Sequence, residues 1–206
     1  MIIHWYQLIS AAVILLIPMG LFHGPKVRYR AIRRQWRGYW GRMLTLGQHT
    51  VDLTRAALGA MLLLQSLEAD PQAHLPAWGI PALTSAIVLL AVVLQMVVCK
   101  EHKSINACYP FLIGLLFGLQ PFPVAAFAVL IAVALTCGAR MPMAFYPVLA
   151  LFSIFLGMLF GGWKLNAIIV IVAVATLTPW LSSMLFLRAL VITYRAKRAT
   201  ESVATE

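Results

Sequence analysis

Where the charged residues stand constrains this chain more than any other feature. Lys, Arg, Asp and Glu are absent from residues 1 to 25, 71 to 99, 104 to 139, 141 to 163 and 165 to 187. A helix rises about 1.5 Å per residue and needs about 20 mostly apolar residues to cross a bilayer core. Each silent interval is long enough for a span. With 62% hydrophobic and 11% charged residues, the composition excludes an ordinary soluble domain.

One interval is too long. As a single helix, 104 to 139 would run about 54 Å, far beyond a bilayer core. The stretch QPFP, with Pro121 and Pro123, supplies a break, because proline removes a helical hydrogen bond. The expected fold is therefore an all-α polytopic membrane bundle of about seven spans, near 3–22, 44–67, 81–99, 105–120, 122–138, 143–162 and 165–187. These form one transmembrane domain, 1–187, followed by a basic juxtamembrane tail, 188–206. The first apolar run has no basic residue before Lys26 and no small-residue cleavage motif after it, so it reads as an uncleaved helix and not as a secretory signal.

The cations set the expected orientation. With the first loop in the cytoplasm, fourteen of the sixteen Lys and Arg residues fall inside. Lys164 lies outside and Arg55 within a span. The positive-inside rule then puts the N-terminus out and the C-terminus in, in a plasma (inner) membrane. A re-entrant 104 to 139 hairpin would reduce the spans to five without changing the side of any other loop.

Half of those inner cations crowd into residues 26 to 42, KVRYRAIRRQWRGYWGR. If the segment is helical, Tyr29, Ile32, Trp36, Tyr39, Trp40 and Met43 share a stripe beside one made of Lys26, Arg30, Arg33, Arg34 and Arg37. Caught between two spans, this pattern predicts an interfacial helix, with Trp36 and Trp40 at headgroup depth and the cations on anionic lipid. A basic arm of a soluble protein would favour nucleic acid; this position disfavours it.

The second span carries the candidate site. Thr45, Gln48, His49, Asp52, Arg55, Gly59 and Ser66 fall on one arc of a helical wheel, which should face the bundle. Asp52 is the one acid in any expected span, and Arg55, three residues on, can pair with it. Ionisable groups at membrane depth suggest function by default, and His49 on the same arc could relay protons. The competing reading is a structural pair that locks the span to a neighbour, with Arg55 reaching toward headgroups.

Two later hairpins resemble each other. Each opens with Tyr-Pro, at Tyr109 and Tyr146, and carries two glycines four apart, Gly114 with Gly118 and Gly157 with Gly161. Such spacing permits close helix contact. Short, Pro-containing helices at matched positions can also line a transporter site.

Other chemistry finds little support. Cys99, Cys108 and Cys137 form no C-x-x-C pair, and the five histidines show no i, i+4 spacing, so no metal or cofactor is expected. No nucleophile elbow, phosphate loop or paired carboxylates occur. The leading expectation is a non-enzymatic membrane-complex or lipid-interacting component, partnered by anionic lipid and by protein subunits or further copies of itself. A small-solute permease lined by His49, Asp52, Arg55 and Gln95 is one alternative. An intramembrane enzyme acting on a phospholipid-like substrate is the other.

Overall fold

The computed structural model describes residues 2–18, 27–32, 47–68, 78–97, 104–161 and 166–195. Seven α-helices dominate them: α1 (Trp5–Leu16), α2 (Gly47–Ser66), α3 (Gly79–Val97), α4 (Tyr109–Leu119), α5 (Phe122–Ala139), α6 (Phe145–Phe160) and α7 (Ala167–Leu185). Helices α3, α5, α6 and α7 are long and apolar enough to cross a membrane, and they make the chain an integral membrane protein. Helices α1 and α4 are apolar but shorter. The polar helix α2 is continuous for 20 residues, so Asp52 and Arg55 lie inside one unbroken element.

Local chemistry sets most helix ends. The break at QPFP falls where expected: α4 stops at Leu119, Gln120 is extended, and Pro121 caps α5. Asn166 caps α7 by accepting a hydrogen bond from the Ile169 N–H at 2.9 Å. The C-terminal ends of α5 and α7 share a form in which one residue turns left-handed, Arg140 at φ 55° and Leu187 at φ 50°. In each case the following N–H returns to the carbonyl five residues back, Met141 to Thr136 and Arg188 to Ser183.

Helix packing depends on small residues. In α4, Gly114 and Gly118 lie against α2: a Cβ on Gly118 would stand 2.5 Å from both the Ala57 carbonyl oxygen and the Ala60 Cβ. Gly114 meets the Leu53 carbonyl in the same way. Gly59 faces α1, where a Cβ would come within 2.7 Å of the Leu15 side chain. Helix α2 is thus gripped on two sides, and Leu53 and Ala57, opposite the polar arc, face α4 through their backbone. The hairpins α4–α5 and α6–α7 meet where their matched tyrosines stack, Tyr109 on Tyr146 at 4.8 Å between ring centroids. Tyr109 also donates to the Pro142 carbonyl at 3.0 Å. The glycines of the two hairpins serve different contacts, since Gly157 packs against Ile169 of α7.

One expectation needs correction. Residues 27–31 are not helical but form strand β2 (Val27–Ala31), and part of the expected tail is strand β5 (Ala189–Arg195). With β4 (Ser104–Asn106) these make a three-stranded sheet in the order β2-β5-β4. Strand β2 runs antiparallel to β5, from Val27 opposite Arg195 to Ala31 opposite Val191. Strand β4 runs parallel to β5, with Ile105 opposite Leu190. The four helices α4 to α7 are the crossover between these parallel strands. The rest of the expected basic helix, including Lys26, Arg33, Arg34, Trp36, Arg37 and Trp40, lies outside the described residues, as does the tail beyond Arg195.

At the other end of the bundle, β1 (Ile2–Ile3) pairs with β3 (Leu67–Glu68). This pairing places the N-terminal residues beside the end of α2. The segments expected to share the cytoplasmic side therefore meet in one sheet, and two of those expected on the opposite side meet in another.

Candidate functional site

Proline creates the need that the site meets. Helix α1 has 12 residues, about 18 Å of rise, and ends just before Pro18. The Ile14 carbonyl would normally accept from the N–H four residues on, but that position is Pro18, which has none. In water such a carbonyl would be solvated. Arg55 lies about 12 Å along α2 from Gly47, and its side chain is mostly buried, where a bare helix end must be satisfied from within the protein.

Arg55 supplies the donors. Its Nη1 donates to the Ile14 carbonyl at 2.6 Å and also to the Ile17 carbonyl. Its Nη2 donates to Asp52 Oδ1 at 2.6 Å, in an ion pair whose two side chains are each 13% exposed. The guanidinium carbon stands 5.3 Å from the centre of the Phe111 ring of α4, within cation–π range. Gln95 of α3, buried, adds a second donor to the Ile17 carbonyl at 3.2 Å. The Gln95 backbone carbonyl accepts in turn from Asn106 Nδ2 of β4 at 3.3 Å. The result is a polar chain running from the sheet through α3 to the end of α1 and into α2.

Charge and dipole agree with these bonds. The C-terminal end of a helix carries partial negative charge, about half an elementary charge. Arg55 sits between that end and the Asp52 carboxylate, so its positive charge is neutralised from two sides. A cost is left over, because Arg55 Nε is buried without a hydrogen-bond partner among the described residues.

Three of the four expected site residues, Asp52, Arg55 and Gln95, meet here. His49 stands one turn before Asp52 on the same helix and is half-buried. Arg30, expected to hold a headgroup, lies in β2, opposite Ile192 of β5. Sequence reading missed the Ile14 and Ile17 carbonyls, Asn106 and Phe111. Pro18 was the available signal for the first of these, since an i+4 proline marks an orphaned carbonyl. Among the described residues no group of three or more His, Cys, Asp or Glu could hold a metal ion. Cys108 is buried and Cys137 exposed, both as free thiols.

Removing the second donor tests the assignment. Gln95→Leu is expected to destabilise the protein by about 0.5–1.5 kcal/mol, since the Ile17 carbonyl loses one of its two donors and keeps Arg55. Thermal unfolding in lipid nanodiscs measures this, and an unchanged midpoint would show that Gln95 contributes nothing to the cap.

Compared with known proteins, the chain matches no family model, no curated protein and no solved structure.

Proposed function

We propose that this protein is a non-enzymatic component of the plasma (inner) membrane that holds anionic lipid headgroups on its cytoplasmic face. In this reading it crosses the bilayer seven times, with the N-terminus outside, and the β2-β5-β4 sheet lies on the cytoplasmic side. The observation that carries the reading is the sheet itself. It draws together strands containing Arg28, Arg30 and Arg195, and Lys100, Lys103, Lys197 and Arg198 adjoin the same strands in sequence. Juxtamembrane cations contribute about 1 kcal/mol each toward an anionic surface.

The bonding of Arg55 supports this reading over the two alternatives. A permease or a lipid-processing enzyme would use the guanidinium on a solute or a phosphate. Here its Nη1 and Nη2 already serve α1 and Asp52, and the pair with Asp52 carries no net charge to attract an anion.

The test is lipid selectivity of the full chain in nanodiscs. Phosphatidylglycerol should be retained over phosphatidylcholine, as read by native mass spectrometry, and rising salt should weaken the preference. Changing Arg28, Arg30 and Arg195 together to Gln should remove about 3 kcal/mol, on the order of a hundredfold in partitioning. Equal retention of the two lipids by the native chain would sink the proposal. Uptake of a solute into sealed vesicles, abolished by Asp52→Asn, would establish the permease in its place.

A further inference from the structure

Exposed side chains on the membrane-crossing helices mostly form stripes, as at Val170 and Val174 of α7, with buried neighbours between them. The end of α7 breaks that rule. Leu185, Phe186 and Leu187 are consecutive, and they are 78%, 67% and 93% exposed. Three successive residues point away from a helix axis in different directions, so no protein lies behind any of them. The turn that presents them is closed. Phe186 N–H donates to the Ser182 carbonyl at 3.0 Å, Arg188 N–H to the Ser183 carbonyl at 3.2 Å, and Ser183 Oγ to the Arg188 carbonyl at 2.7 Å.

Leu187 occupies the left-handed position of this turn, a place where glycine is ordinarily free of cost and a Cβ is crowded. The matching turn after α5 has small residues before its left-handed Arg140, namely Gly138 and Ala139. A projecting apolar tip is therefore particular to the second hairpin and is not imposed by the turn.

We propose that Leu185, Phe186 and Leu187 form an apolar wedge set into the leaflet on the sheet side, at the boundary between headgroups and acyl chains. The occupant follows from charge and continuity. Arg188 comes next in sequence, and β5 starts at Ala189 and pairs with the Arg-bearing β2. Apolar side chains flanked by cations match the acyl boundary below an anionic headgroup layer. The wedge fixes the depth at which β5 leaves the membrane, and so keeps the basic sheet at headgroup level. In this respect it rests on the lipid-holding reading above.

A nitroxide at Phe186→Cys, in the full chain with Cys99 and Cys137 replaced by Ala, reads the depth directly. In nanodiscs containing phosphatidylglycerol, relaxation by oxygen should exceed relaxation by an aqueous nickel chelate. The position should lie about 5–10 Å below the headgroup surface. Greater relaxation by nickel than by oxygen overturns the wedge. If Phe186→Cys does not fold, Leu187→Cys gives the same reading. Lipid selectivity measured on the same sample separates the two proposals. An acyl-buried label without preference for anionic lipid keeps the wedge and sinks lipid holding, whereas a water-exposed label with the preference intact does the reverse.

Discussion

Arg55→Met is expected to lower the stability of the protein by about 3–5 kcal/mol, the range for stranding one charge of a buried pair. Three groups lose the guanidinium at once: the Asp52 carboxylate loses its cation, the Ile14 carbonyl its donor, and the Ile17 carbonyl one of its two donors, since Gln95 still reaches it. Methionine fills a similar volume without donating, so packing against Phe111 largely survives and the loss is polar. Chemical or thermal unfolding in nanodiscs measures it. Adding Asp52→Leu should recover only the part that belongs to the carboxylate. A buried pair replaced on both sides by apolar residues is often neutral, but the Ile14 carbonyl stays orphaned and the Ile17 carbonyl keeps only Gln95. Full recovery in the double variant would mean that Arg55 serves Asp52 alone. Asp52→Asn should be milder than Arg55→Met, since the amide oxygen still accepts from Nη2 while the neutralising charge is gone.

Gly118→Val is the second large effect. A Cβ there would lie 2.5 Å from a backbone oxygen and from a second helix's Cβ, and neither belongs to a flexible side chain. Helices α2 and α4 must separate, so the cost should fall at or above the upper end of the usual overpacking range of about 1–3 kcal/mol. Gly114→Val should behave alike, because it meets the Leu53 carbonyl. Gly138→Ala is the control: nothing lies within 4 Å of its added Cβ, and alanine is the better helix former by up to about 1 kcal/mol. Equal unfolding midpoints for Gly118→Val and the native chain would mean that the two helices do not approach this closely in the membrane. Separation of α2 from α4 should also move Phe111 away from Arg55, which links this contact to the first prediction.

Much of the bundle is legible because its signals are local. Charge-free runs and the Pro121 and Pro123 break place most of the helices within a few residues of their observed ends, whereas α1 stops at Leu16, well short of the expected 22. The Asp52–Arg55 pair is legible for the same reason, being one helical turn apart. The sheet is less legible, because over 26 to 42 a 3.6-residue stripe of aromatic residues competes with a shorter period at its start. The alternation of Val27, Tyr29 and Ala31 with Arg28 and Arg30 has the period of a strand. A strand is stable only with a partner, and that partner stands at 189 to 195, at the far end of the described chain.

The amino-acid sequence by itself determined that this is a membrane protein. It determined where most of its helices start and stop, and that one helix carries an acid and a base three residues apart. Those features follow from hydropathy, proline and spacing along a single element. Only the tertiary structure decided what the pair does. The carbonyls that Arg55 serves lie about forty residues away on α1, the glycine contacts join α2 to α4, and β5 closes a sheet with segments from both earlier loops. Each of these is a contact between elements distant in sequence, and no local pattern encodes which donor will meet which acceptor once the helices are packed.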